Sequence, residues 1–93
     1  MADERLKKQW TITTAILESA GAEVSTASGY SAYREYIEHN ELELALNALM
    51  DLGEQSPVSA DYWWNLKKAA EVMGLRSHYG ELRQRLRTSR NAS

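Results

Sequence analysis

Cysteine is absent from this chain of 93 residues, and proline and histidine are scarce. Without cysteine there can be no disulfide framework, no thiolate nucleophile and no cysteine-ligated metal. The two histidines, His39 and His78, share no helix face in a metal-ligand spacing. The sequence also has no phosphate-binding glycine loop, nucleophile elbow or HExxH motif. We therefore predict that the protein is not an enzyme and uses no metal or other cofactor.

Long apolar runs are missing as well. The first residues, MADERLKKQW, carry charges where a signal peptide would need an apolar run. No segment approaches the roughly 20 apolar residues of a membrane span. We therefore expect a cytoplasmic protein, or one injected whole, without a membrane partner. The 26% charged and 43% hydrophobic residues are ordinary for a globular chain of this length, which predicts one domain over residues 1–93.

The periodicity of apolar residues predicts helices throughout the chain. Leu, Ala, Glu, Lys and Arg dominate segments in which apolar residues recur every three or four positions, and no alternating strand stands out. The fold class predicted is all-α, a compact bundle of four to five short helices. The helices are expected at residues 3–20, 29–39, 41–52, from a cap at Ser59 to Gly74, and 77–87. Residues 88–93 are expected to form a frayed tail.

Particular residues suggest where the helices begin and end. Gly21 and Gly53 follow periodic segments and are interpreted as C-terminal stops. Asn40 is a natural N-cap for the third helix, and Glu43 stands three residues later, which predicts a capping box. Ser59 is the preferred N-cap of the fourth helix.

Two of the predicted helices carry clear apolar stripes. The third is apolar over much of its circumference, which makes it the expected central helix. Leu44 and Ala48 widen its stripe. The stripe residues of the first helix are Leu6, Trp10, Thr13, Leu17 and Ala20, and those of the third are Leu42, Ala45, Leu46, Leu49 and Leu52.

Charge is strongly polarised along the chain although the net charge is only −2. Residues 35–61 contain seven acids and no base, whereas residues 62–93 contain seven bases and two acids. One interpretation is that these two segments pair across the bundle surface, with little energetic consequence. The other is that the acids form a negative surface that attracts a basic partner. The candidate partner-binding acids are Glu35, Glu38, Glu41, Asp51, Glu54 and Asp61.

Trp64 is the remaining candidate for partner binding. At 100° per residue it falls about 200° from Tyr62, beside Lys67, Lys68 and Glu71. Either another helix covers it or it is exposed. An exposed Trp beside an acidic surface would be an interface anchor, because Trp is enriched among residues that dominate binding energy.

One long segment carries a family resemblance. YREYIEHNELELALNALMDLGE, followed by a polar gap and YWWNLKKAAEVMGL, resembles the small bacterial immunity proteins of the MafI-like group. The shared pattern includes EHNE at Glu38–Glu41, LAL at Leu44–Leu46, a short acidic exit, and a final aliphatic helix that ends in Met-Gly-Leu at Met73–Leu75. It covers about residues 30–76. The resemblance implies a binding protein that neutralises a cognate toxin. Many such toxins are nucleases with basic active-site clefts.

Two functional hypotheses follow. The first is an immunity protein whose acidic surface binds a basic toxin domain. The alternative is a small helical nucleic-acid-binding or regulatory protein that uses Lys67, Lys68, Arg76 and the segment RQRLRTSR at residues 83–90. The isoelectric point near 5.6, the lack of a helix-turn-helix pattern and the acidic segment all favour a protein partner over nucleic acid.

Overall fold

A computed structural model describes the backbone of residues 3–91 and the side chains of residues 4–88. That part of the chain contains five α-helices and no strand, so the predicted all-α bundle is confirmed. A short 3₁₀ helix, Ala22–Val24, follows the first α-helix. The α-helices are α1 (Asp3–Gly21), α2 (Tyr30–Glu38), α3 (Leu42–Gln55), α4 (Ala60–Met73) and α5 (Arg76–Asn91).

The helices pack mainly as antiparallel neighbours. Near the start of α1 the Gln9 amide donates to the carbonyl of Val72 in the last turn of α4. At the other end, Ser59 donates from its backbone N–H and its hydroxyl to the carboxylate of Glu23, at 2.9 and 2.6 Å. These two contacts make α1 antiparallel to α4. α3 packs against α1, α2 and α4, while α4 packs against α1, α3 and α5.

The core lies where α3 and α4 meet the other helices. The predicted stripe of α3 is confirmed, since all five of its residues are buried. The central position predicted for α3 is shared with α4, which also contacts three helices. The largest side chains that are fully buried are Tyr33, Tyr62, Leu17, Leu46, Leu49, Leu66 and Leu82.

The apolar stripe predicted for α1 is only half right. Thr13, Leu17 and Ala20 are buried, but Leu6 and Trp10 remain 46% and 41% exposed. Gln9 already reaches the last turn of α4, so the residues before it extend past the end of that helix. Trp10 lines an open cleft that α1 forms with Asn40 of the turn between α2 and α3. Periodicity places these side chains on a stripe, but it does not show whether a neighbour covers them.

Two of the three glycines at predicted helix ends do end their helices, and Gly53 does not. α1 ends at Gly21 as predicted, although Gly21 keeps helical backbone angles and a 3₁₀ turn follows, whereas α3 continues through Gly53 to Gln55. Both allow close packing: a Cβ at Gly21 would lie 3.0 Å from Cε2 of Tyr33, and one at Gly53 would lie 2.6 Å from Cη2 of Trp63. Gly74 does end α4 as predicted, because its positive φ of 72° is one that glycine adopts without steric cost.

Asn40 does not form the predicted cap or capping box with Glu43. Its φ of 57° places it in the left-handed region, which Asn tolerates better than most residues. The residue at the N-cap position of α3 is Glu41, and it makes no side-chain cap hydrogen bond. Asn40 therefore serves the turn between α2 and α3. The predicted cap at Ser59 is confirmed, since its hydroxyl accepts from the N–H of Tyr62 at 3.3 Å.

The last helix is longer than predicted. α5 begins at Arg76 and continues to Asn91, past the expected end at Arg87. The predicted tail is therefore helical as far as Asn91, and residues 92–93 lie outside the described residues. Between residues 3 and 91, no helix combines the length and apolarity needed to cross a bilayer.

Candidate protein-binding interface

Three of the candidate acids meet at the turn between α2 and α3. Glu35 and Glu38 lie in the last turns of α2, Glu41 follows Asn40, and all three are exposed. His39 stands among them, with Nδ1 2.8 Å from the carbonyl oxygen of Glu35. Because a carbonyl only accepts, Nδ1 carries the hydrogen. We call Glu35, Glu38 and Glu41 the acidic cluster.

The carboxylates of the acidic cluster contribute to the electrostatic environment of His39. The backbone hydrogen bond to Glu35 raises the pKa of His39, and the negative charges of Glu41, Glu35 and Glu38 raise it further. Among the side chains of residues 4–88, ion pairs join Arg34 to Glu18, Lys68 to Glu71 and Arg85 to Glu54. None of them uses the acidic cluster, so its charge remains available to a partner.

Glu18 differs from the acidic cluster because its carboxylate is bound by other side chains of the protein. Glu18 accepts hydrogen bonds from the Tyr33 hydroxyl and from Nη1 of Arg34, the latter at 2.8 Å to both oxygens. Partial burial raises its pKa, but these hydrogen bonds and the Arg34 charge outweigh burial and lower it overall. This carboxylate joins α1 to α2. Among the side chains of residues 4–88, the acidic cluster has no comparable ion-pair partner.

A groove runs from α2 to α3 on the outside of the bundle. Its volume is about 320 Å³, and its apolar lining includes Ala32 and Tyr36 of α2 and Leu44 and Ala48 of α3. The polar side chains in the lining are Ser28, Asn47, Gln55 and the carboxylate of Asp51. The groove therefore combines apolar surface with one negative charge.

Leu44 is the residue of this groove that sequence reasoning misplaced. It was expected to widen the core stripe, but its side chain is 43% exposed. On a helical wheel it lies about 140° from the centre of the buried stripe. That angle predicts an exposed side chain, but the expectation followed the apolar character of leucine instead.

The other candidate acids do not join the acidic cluster. Asp51 is ten residues beyond Glu41, or about 15 Å along the helix. Glu54 pairs with Arg85 of α5, as the cross-bundle interpretation of the charges anticipates. Asp61 is exposed in the first turn of α4. The six acids therefore divide into a cluster of three, one residue at the groove, one ion-paired residue and one isolated residue.

Trp64 is exposed, which decides between the two alternatives left by the sequence. Its side chain is 44% exposed. It lies on nearly the opposite side of α4 from Tyr62, whose hydroxyl donates to the Leu49 carbonyl of α3. Trp64 therefore faces away from α3, beside Lys68, and does not adjoin the acidic cluster.

The described residues offer little to a metal ion. Among them, no group of three or more His, Asp or Glu side chains is arranged to hold one. His78 is engaged elsewhere, with Nε2 2.7 Å from Oδ1 of Asn47. A comparison with protein-family models, curated protein sequences and solved structures finds no match for this chain.

Proposed function

We propose that this chain is an immunity protein that binds and neutralises a cognate bacterial toxin domain, a nuclease with a basic active-site cleft. The acidic cluster and the groove between α2 and α3 form the surface that receives the toxin. The observation that carries the proposal is the grouping of three exposed carboxylates without an internal ion pair among residues 4–88.

Electrostatics favours a basic partner at this surface. Glu35, Glu38 and Glu41 project from one end of the α2–α3 pair, and their joint field acts on His39. A cluster of like charges steers an oppositely charged protein toward it and raises the association rate. Nucleic acid is repelled from the same surface.

The groove supplies the apolar contact that charge alone does not. Leu44 is exposed and Tyr36 is half-buried at its wall. Affinity in protein interfaces comes chiefly from a few desolvated apolar anchors, while surrounding charges set the association rate and orientation. A basic segment with an apolar face therefore fits the groove, whose lining includes the carboxylate of Asp51.

The resemblance to MafI-like immunity proteins supports the same assignment. Its distinctive EHNE unit contains Glu38 and Glu41 of the acidic cluster, and its LAL unit begins at Leu44. Both units thus fall on the proposed surface or beside it.

The test is co-expression with candidate toxin domains from the same genome. The two proteins should co-purify, and toxin activity should be lost at a stoichiometric ratio. Leu44→Asp, at an exposed position, should abolish co-purification while the circular dichroism spectrum stays helical. A toxin domain that remains active in excess of this protein would refute the proposal.

A further inference from the structure

A second charged surface lies on α4 and α5. Arg76, Arg83 and Arg87 fall within about 40° on one side of α5, and all three are exposed. Within the described side chains, residues 4–88, none of these arginines forms an ion pair. The basic residues of the C-terminal third thus include a row about 16 Å long that the bundle itself does not neutralise.

The contacts of α5 show which way this row faces. His78 reaches Asn47 and Arg85 reaches Glu54, so that side of α5 faces α3. Arg83 lies about 160° from Arg85 around the helix. The arginine row therefore faces away from α3, as Trp64 does on the neighbouring α4.

Cross-helix contacts place Trp64 close to the level of the arginines. The ammonium of Lys67 lies 5.7 Å from the ring centre of Tyr79, and the guanidinium of Arg85 lies 5.3 Å from the ring centre of Trp63. α4 and α5 are antiparallel, so a residue earlier in α4 faces a residue later in α5: Lys67 faces Tyr79, and Trp63 faces Arg85. By the same register, Trp64 lies near the level of Arg83.

We propose that the outer face of α4 and α5, formed by Trp64, Lys67, Arg76, Arg83 and Arg87, binds single-stranded nucleic acid. The arginines contact phosphates along the strand, and a base stacks on the exposed indole of Trp64. Arg forms bidentate hydrogen bonds with phosphate oxygens, and stacking on an aromatic ring is the usual base contact of single-strand binders.

Most acids of the described chain lie away from this face or are ion-paired, and the exception is the exposed Asp61, one turn before Trp64 on α4. The acidic cluster lies at the turn between α2 and α3, and Glu54 is neutralised by Arg85 on the α3 side of α5. On α4, Glu71, about two turns beyond Trp64 on the same side of the helix, is paired with Lys68 at 3.2 Å. The outer face of α4 and α5 therefore has an excess of positive charge, although the isoelectric point of the whole chain is low.

The proposal is tested by fluorescence anisotropy with a labelled oligothymidylate. Each phosphate contact contributes about 0.7 to the slope of log affinity against log salt, so three to four contacts predict a slope of about −2 to −3. Arg83→Glu should weaken binding and flatten the slope, while Arg83→Lys should retain the charge and much of the affinity. Trp64→Ala should weaken binding on the order of tenfold.

Lys7→Glu is the matched control, because it makes the same change in net charge on α1, beside Asn40. It should leave the anisotropy titration almost unchanged. Equal weakening by Lys7→Glu and Arg83→Glu would refute the proposed face. Tighter binding of polyglutamate than of oligothymidylate would overturn it in favour of an acidic protein partner, and tighter binding of duplex DNA would overturn the stacking role of Trp64.

Discussion

A Cβ atom at Gly53 would lie 2.6 Å from Cη2 of Trp63, so α3 and α4 meet where a side chain has no room. Gly53→Ala should therefore lower the free energy of unfolding by about 1 to 3 kcal/mol, despite the better helix propensity of alanine. Chemical denaturation measures the change.

Gly80 in α5 provides the matched control for Gly53. A Cβ there would meet nothing within 4 Å. Gly80→Ala should raise the free energy of unfolding by up to about 1 kcal/mol through helix propensity alone. The same substitution thus changes stability in opposite directions at the two sites. Equal effects would contradict the close packing of α3 on α4.

Thr13 is fully buried, and its hydroxyl has no hydrogen-bond partner among the described residues. Thr13→Val keeps the shape of the side chain and removes the unsatisfied polar atom, so it should stabilise the protein by about 1 kcal/mol. Thr11→Val is the control, because Thr11 is exposed and donates to the Lys7 carbonyl; its effect should stay within about 0.5 kcal/mol. Thermal and chemical unfolding of both variants provide the measurement. A loss of stability in Thr13→Val would mean that the hydroxyl is satisfied.

The contact between Glu18, Tyr33 and Arg34 predicts a pH dependence. The pKa of Glu18 is lowered from its ordinary 4.5, so its ionised form stabilises the folded state. That contribution is fully present above pH 4.5 and is lost as the pH falls through the lowered pKa. The stability difference between wild type and Glu18→Gln should therefore shrink below pH 4.5. A difference that does not change with pH would contradict the assigned role of the carboxylate.

Much of the fold was predictable because helix periodicity and the α3 stripe are local properties of the sequence. The end of α3 was not, since Gly53 lies inside the helix and leaves room for the Tyr62 and Trp63 rings of α4. Leu6 and Trp10 match the stripe of α1, but their spacing does not show that both side chains stay exposed. Local pattern therefore predicts elements better than it predicts what covers them.

The candidate site was predictable to a smaller extent. Glu35, Glu38 and Glu41 are close in sequence and meet in space because a short turn joins their helices. Glu54 is on the same acidic segment, but it pairs with Arg85 from the other end of the chain. Which acid forms an ion pair with α5 depends on how α5 packs against the other helices. The number of charges in a segment does not predict that packing.

The pKa of His39 tests the acidic cluster in the protein alone, before any binding partner is added. Its pKa is raised above the ordinary 6.5 by its backbone hydrogen bond to Glu35 and by the charges of the cluster. A nuclear magnetic resonance titration should show this elevation, and Glu38→Gln or Glu41→Gln should reduce it. Glu81→Gln, on α5, should leave it unchanged. A pKa of His39 that stays the same in both the Glu38→Gln and the Glu41→Gln variants would contradict a contribution from the acidic cluster.

The central claim is that the acidic cluster receives a basic toxin domain, and the association rate with that domain tests it most directly. In stopped-flow measurements at low salt, Glu38→Lys with Glu41→Lys should slow association tenfold or more relative to wild type. Glu4→Lys with Glu81→Lys makes the same charge change on α1 and α5 and should slow it far less. The difference should diminish as salt screens charges beyond about 10 Å. Equal slowing by the two double variants, or no slowing by either, would contradict the claim.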